Sequence, residues 1–498
     1  VNGDAHDRRK DKHMMGMIFF LILAGLEIGL GVWTLAKQKE RILWKRNRLV
    51  VSGIQWGLIA LILLLPVGNK GLRFAGCFVI LSIRLIIAGV RFLLRNRSKK
   101  QGASRTGRTI AATLLACILL WISLIPAYVF TGYEGLPTTG KHNVGMVSAI
   151  LTDENRPEEF EQDGSYREVP IYVYYPEAPT EKAPIVFFSH GAFGYYQSNS
   201  STYMELASHG YVVISMDHPY HSFFTKDTEG KTILVNPEFI QSALRIGNAE
   251  DGDIPEEEIF QTTREWMKLR MDDMSFVIDE VRRQGAEFAE QGVAEADGAK
   301  EQVDAGTTRN ADTADSAKGN FGPAWYVKSV ADAQTLKKVL SCVDIDKIGL
   351  MGHSLGGATS VTVGRQKSDV VDLVIDLDGT MLGEQLSYKK GEYQYPAEAY
   401  PVPLLAVNNE HHQMELEKYG ALYVNGAVLA NAKDAGYTYF EGSGHMNFTD
   451  LPLFSPFLAS MLGTGSIDAK QCVEDMNDFI LHSCDHYLKG TSEAQAQK

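Results

Sequence analysis

Four long apolar stretches, roughly 14–36, 49–67, 74–94 and 109–131, constrain this chain more than any other feature. A helix needs about 20 apolar residues to cross the ~30 Å hydrocarbon layer of a bilayer, and each stretch meets or approaches that length. One such run near an N-terminus reads as a signal peptide, but four with short loops do not. Residues 1–131 hold 20 Lys/Arg and 5 Asp/Glu, whereas 132–498 hold 28 and 56. The cations cluster in 37–48 (Lys37, Lys39, Arg41, Lys45, Arg46, Arg48) and 95–108 (Arg95, Arg97, Lys99, Lys100, Arg105, Arg108). Only Lys70 and Arg73 lie in the loop between the second and third stretches. Cation-rich loops stay cytoplasmic, so the sequence predicts four transmembrane helices in 1–131 and an extracytoplasmic domain in 132–498. The N-terminal Arg8, Arg9, Lys10 and Lys12 weigh against that orientation, though Asp4, Asp7 and Asp11 accompany them.

Glu27 and Arg84 fall deep inside the first and third stretches. A charge there needs a partner or a polar cavity. The simpler expectation is a Glu27–Arg84 ion pair that fixes helix packing; a transport or sensing site is the competing one. Arg91 lies near a span end, where its charge reaches the interface unaided.

Beyond about residue 145, short β-branched runs alternate with helical patterns. Expected strands are Val169–Tyr175, Ile185–Ser189, Tyr211–Met216, Ile348–Gly352, Val371–Leu377, Leu404–Val407 and Tyr437–Glu441. Runs this continuously apolar suit strands buried on both faces of a mostly parallel sheet. With helical patterns at 264–283, 327–340, 356–365 and 470–488, they predict an α/β architecture. Residues 286–320 are rich in Ala, Gly, Asp, Glu and Thr and read as a flexible insertion. The acidic balance leaves no footprint for nucleic acid. Five cysteines without a Cys-x-x-Cys pair argue against a disulfide scaffold and a zinc site. Cys77 and Cys117 read as small apolar fillers, and Cys472 and Cys484 share one expected helix, too far apart to bridge.

Gly352-His353-Ser354-Leu355-Gly356 spells G-x-S-x-G between an apolar strand and a helical run. A sharp strand-to-helix turn exposes such a serine as a nucleophile, and only small residues fit two positions to either side. The amide after the serine, Leu355, is then one oxyanion donor. The second is expected from the loop after an earlier strand, where Ser189-His190-Gly191-Ala192-Phe193-Gly194 offers Ala192.

Phe188-Ser189-His190-Gly191, Ala207-Ser208-His209-Gly210-Tyr211, Gly352 to Thr359, Leu377-Asp378 and Gly442-Ser443-Gly444-His445-Met446-Asn447-Phe448 resemble, in the same order, platelet-activating factor acetylhydrolases of the plasma type. The resemblance covers roughly 145–490. It implies an α/β-hydrolase fold, with Ser354 as nucleophile, Asp378 as triad acid and His445 as base. The four apolar stretches and the 286–320 segment have no counterpart in the secreted enzyme. The residues also point to His445 independently, because it follows the last strand in a glycine-bounded loop and completes the order Ser…Asp…His. For the acid two positions stay open on the residues alone: Asp378, which ends one strand, and Glu410, which follows the next. Asp376 shares the face of Asp378 by its two-residue spacing and should lie deeper. His411 and His412 are expected to be exposed. His218 and His221 are expected in a turn at Asp217-His218-Pro219, with pocket lining as the other use.

These expectations combine into a membrane-anchored serine hydrolase acting on lipid or short-chain acyl esters. It would need no metal or organic cofactor, and nothing in the sequence sets an oligomeric state. The competing expectation is a membrane transporter or sensor whose hydrolase-like domain only binds.

Overall fold

Helices α1 (Gly3–Lys37), α2 (Arg41–Leu64), α3 (Gly71–Leu93) and α4 (Thr106–Val129) carry the apolar stretches. The computed structural model describes residues 3–491 except 38–40, 65–70, 95–105, 131–132, 134, 180, 250–251 and 299–320. It divides into two compact units, one of Val1–Gly135 with Leu451–Leu462, the other of Leu136–Asp450 with Gly463–Lys498. All four helices are long and apolar enough to cross a membrane. Inside the first unit Phe19, Leu23, Ile59, Phe74, Leu81, Leu120 and Leu124 form one cluster. The outer faces are apolar as well, with Leu21, Val32, Ile86, Leu114 and Trp121 exposed. A water-soluble monomer rarely exposes so much contiguous apolar surface. Buried Glu27 pairs with Arg84, as the sequence predicts. Its second oxygen takes Arg48 Nη1 at 2.5 Å. The sequence reading assigns Arg48 to a cytoplasmic loop; it lies inside α2, which begins at Arg41, and faces the bundle.

The second unit is a nine-stranded sheet with helices around it. Its first elements are β1 (Val144–Pro157), β2 (Tyr166–Pro176), β3 (Ala183–Ser189), α5 (Ser200–Ser208), β4 (Val212–Met216), a small hairpin β5 (Phe224–Lys226) and β6 (Thr232–Leu234), α6 (Pro237–Gly247) and α7 (Glu256–Gly298). There follow β7 (Trp325–Tyr326), α8 (Val330–Ser341), β8 (Val343–His353), α9 (Leu355–Gln366), β9 (Leu373–Leu377) and a second hairpin, β10 (Ser387–Lys389) and β11 (Glu392–Gln394). The chain closes with β12 (Leu404–Asn408), α10 (Glu410–Tyr419), α11 (Val424–Ala430), β13 (Ala435–Tyr439), α12 (Leu451–Phe454), α13 (Pro456–Met461) and α14 (Ala469–Cys484). Of these, α12 and α13 pack with the first unit.

The sheet order is β13-β12-β9-β8-β3-β4-β2-β1-β7. Strands β4, β3, β8, β9, β12 and β13 run parallel, and β2, β1 and β7 pair antiparallel. All seven expected strands are present. Every residue of β3, β4, β9 and β12 is buried, which is why they are apolar apart from single polar residues such as Asp376 and Ser215. The sequence reading misses β1. Its core residues Val147, Ala149 and Leu151 alternate with more accessible positions, as on a half-buried strand, so no apolar run marks it.

Residues 286–298 are not an insertion loop. They continue α7 to Gly298, since Ala, Glu and Gln favour helix. Phe288 anchors this stretch in the main core, with its ring 5.0 Å from that of Phe321. Burying such a ring stabilises the fold by about 1.5–3 kcal/mol. The remainder of the expected insertion, 299–320, lies outside the described residues. Cys472 and Cys484 share α14 as expected.

Candidate active site

The turn between β8 and α9 holds Ser354 at φ +55°, ψ −124°, a conformation costly for a residue with a side chain. Close packing enforces it. A Cβ on Gly356 would lie 2.0 Å from the Ser189 carbonyl oxygen, and one on Gly352 would lie 2.2 Å from Gly356. The elbow therefore sits directly against the end of β3. The neighbouring strands hold it in register, since Ser354 N donates to Leu377 O at 2.9 Å and Asp378 N donates to Val407 O at 2.8 Å. Asp378 also has a positive φ, +56°, so β9 ends in a turn that aims its carboxylate along the edge of the sheet.

His445 starts a short 3-10 turn after β13 and lies between these two residues. Its Nδ1 is 2.6 Å from Asp378 Oδ2, and its Nε2 is 3.0 Å from Ser354 Oγ. An ionised carboxylate only accepts, so Nδ1 carries the proton and Nε2 is free to accept from the serine hydroxyl. Asp378 also accepts from Asn409 N and Asn409 Nδ2, each at 2.7 Å. Burial raises the Asp378 pKa, but contacts with His412 and His445 outweigh it and hold the carboxyl well below the usual range. Glu410, the competing acid, is exposed at the start of α10. Asp376 is buried behind Asp378, where desolvation and the Asp378 charge push its pKa up to about 7.

The loop after β3 runs alongside the serine. A Cβ on Gly191 would meet Ser354 Cβ at 3.2 Å and His353 Nδ1 at 2.9 Å. Leu355, the first residue of α9, has an amide with no acceptor inside its own helix. Ala192 follows Gly191 and packs in a small apolar cluster with Leu355, Phe239 and Met267. Buried Arg270 on α7 fixes this loop by donating to His190 O at 2.5 Å and Gly191 O at 3.2 Å. A second buried chain lies beneath. Ser189 Oγ is 2.8 Å from His218 Nε2, and His218 Nδ1 is 3.0 Å from Asp273 Oδ2. Arg167 and Arg156 pair with Asp273.

The turn expected after β4 is present, since His221 N and Ser222 N both donate to His218 O. Its histidine side chains, however, are buried. His221 stacks on Phe239 with ring centroids 3.8 Å apart. Burial and the nearby Arg270 lower the pKa of both histidines, that of His218 to about 4. Sequence reasoning misses Arg270 and Asp273, although two charges three apart within an apolar helical pattern were an available signal. His411 is exposed as expected. His412 is not: its Nδ1 lies 3.0 Å from Asp378 Oδ1, with its side chain 19 % exposed.

The strand order and the elbow define an α/β-hydrolase, with the side-chain constellation of its serine type. The family model described as platelet-activating factor acetylhydrolase, isoform II, matches residues 162–494, and the chain belongs to that family. Among curated relatives, the platelet-activating factor acetylhydrolase of Bos taurus is 24 % identical over 305 residues, 60 % of this chain and 55 % of that protein. The one from Canis lupus familiaris is 24 % identical over 311 residues, with the same shares. The chain thus spans about half the length of the curated relatives it matches. Among solved structures, a ferulic acid esterase from Streptomyces cinnamoneus aligns at 17 % identity and a TM-score of 0.49. That alignment covers 74 % of this chain and 96 % of the esterase.

Proposed function

We propose that the chain is a membrane-anchored serine hydrolase that cleaves carboxylic esters through an acyl-enzyme on Ser354. The observation that carries this reading is the continuous path Ser354–His445–Asp378, at 3.0 and 2.6 Å, on a strained elbow. His445 takes the Ser354 proton as the oxygen attacks the ester carbonyl, and Asp378 stabilises the resulting imidazolium. The amides of Ala192 and Leu355 donate to the developing oxyanion. Collapse of the intermediate breaks the bond to the alcohol oxygen, which takes the proton back from His445. Water then repeats the sequence on the acyl-enzyme, releases the acid and restores Ser354. These groups suffice without a metal or organic cofactor.

The substrates are lipid or short-chain acyl esters. Family membership supports this choice, and so do the four apolar helices of residues 1–131, which are long enough to anchor the chain in a bilayer. Their apolar outer faces support the membrane assignment, and the cation-rich segments 37–48 and 95–108 support an extracytoplasmic active site. The test is labelling of the full chain with a fluorophosphonate, alongside hydrolysis of p-nitrophenyl acetate and of a short-chain phospholipid. Ser354→Ala should abolish labelling and lower kcat by about 10⁴–10⁶. A variant within about tenfold of the parent ends the proposal.

A further inference from the structure

Asp378 faces two imidazoles. His445 Nδ1 lies 2.6 Å from Oδ2, and His412 Nδ1 lies 3.0 Å from Oδ1. The placement of His412 is built into the chain. Asn409 caps α10 by accepting from His412 N at 2.7 Å, while its own backbone and side-chain amides both donate to Asp378. The first turn of α10 therefore wraps the carboxylate and brings His412 to Oδ1, the oxygen that also accepts from Asn409 N. The two histidine rings are 6.4 Å apart.

We propose that His412 is a positioning residue that shares the triad acid with the base, so that its protonation brakes the reaction of the same site. This rests on the reading of Ser354, Asp378 and His445 as the triad. The base works by becoming an imidazolium, and Asp378 favours that charge. A cation already seated on Oδ1 neutralises part of the same carboxylate and repels the second imidazolium. Neutral His412 leaves the whole charge to His445. The groups facing His412 are Asp378 and Asp376 from β9, Glu415 from its own helix, His445 from the loop after β13 and His353 from the end of β8. The rings of His411 and Tyr423 lie 6.2 and 6.3 Å away. Burial opposes a charge on His412, but Asp378, Asp376 and Glu415 outweigh it and raise its pKa above the ordinary value. Protonation of His412 therefore sets in at a higher pH than that of an ordinary histidine.

The test is kcat/KM for p-nitrophenyl acetate on the full chain in detergent, across pH from about 5 to about 8.5, bracketing the histidine range. Wild type, H412Q (permanently neutral) and H412K (permanently cationic) are compared. Two coupled groups shift each other by about one pK unit or more, so the ratio of H412Q to wild type should rise about tenfold as pH falls. The ratio of H412K to wild type should be lowest at high pH and climb as wild type itself becomes protonated. Profiles that stay parallel on a logarithmic scale overturn the proposal, since a merely structural role lowers activity equally at every pH. Where H412K melts early, the H412Q ratio decides alone. An inactive S354A with parallel profiles removes only this inference; an active S354A removes the triad reading beneath it.

Discussion

His353 Nε2 lies 3.1 Å from the backbone carbonyl of His445, so the residue before Ser354 also holds the loop that carries the proposed base. The two rings are 4.6 Å apart. Burial, then the neighbouring His445, lowers the His353 pKa to about 3, which keeps it a neutral donor across the working range. The contact fixes the backbone of the loop after β13, where a small displacement would open the distance from His445 Nε2 to Ser354. We expect His353→Ala to lower kcat by about 10²-fold with little change in KM, as for other misplaced catalytic groups. His353→Gln, which keeps a donor, should recover at least about tenfold of that loss. Steady-state kinetics with thermal melts separate this effect from unfolding.

The acid is tested by two substitutions that remove charge and keep shape. Asp378→Asn should cost about 10⁴ in kcat, because the base loses both its orienting acceptor and its counter-charge. Glu410→Gln should stay within about tenfold, since its side chain is exposed on α10. The comparison is valid for variants that show the parental melting transition. A large loss at Glu410 with Asp378→Asn nearly intact would refute the assignment of the acid.

The elbow was legible because it is local. Ser354, its flanking glycines and the amide of Leu355 lie within five residues, and the turn permits few other sequences. The proposed base, His445, stands out for a related reason, a glycine-bounded loop after the last strand. Buried strands announced themselves through nearly continuous apolar runs, whereas β1 did not, because only alternate residues of it reach the core. The misreading of 286–298 came from composition: the stretch continues a helix already packed through Met274, Val277, Ile278 and Val281, and Phe288 adds one more core residue. Arg48 and His412 were beyond reach for a different reason. Each acts on a carboxylate distant in sequence, Glu27 or Asp378, and the spacing along the chain says nothing of the approach.

Glu27 offers a test of the helical unit. Both of its oxygens pair with guanidinium groups, from Arg84 and Arg48. Glu27→Gln leaves two cations without their counter-charge, and breaking a buried pair costs about 3–5 kcal/mol. We expect a clear fall in melting temperature in detergent. Replacing all three side chains by apolar ones of similar size (E27L, R48M and R84M together) should recover most of it, because no buried charge remains. Failure of the triple variant to recover would give the cluster a role beyond packing.

Orientation can be read with a charged fluorophosphonate that does not cross membranes. With the cation-rich segments 37–48 and 95–108 inside, the probe added to intact cells should label Ser354 as fully as it does after lysis. Labelling that appears only after lysis would place the hydrolase domain in the cytoplasm and reverse the orientation expected from loop charge.

Asp376 gives a prediction for pH and stability. Its carboxyl is buried, Oδ1 accepts from Gly379 N at 3.0 Å, and its pKa stands at about 7 in the fold, raised by burial and by Asp378. In the unfolded chain it returns to an ordinary value of about 3.9. Between these values the folded chain keeps a proton that the unfolded chain releases, so rising pH favours unfolding. The contribution is fully present below about pH 4 and is lost by the time the pH passes about 7. Asp376→Asn removes the ionisation while keeping an oxygen for Gly379 N. We expect the variant to melt above the parent at about pH 8 and to lose that advantage near pH 4, where the parent carboxyl is neutral in both states. Melting curves at the two pH values decide the matter, and a gap that does not depend on pH would mean that the carboxylate is stabilised in the fold by a partner other than Gly379.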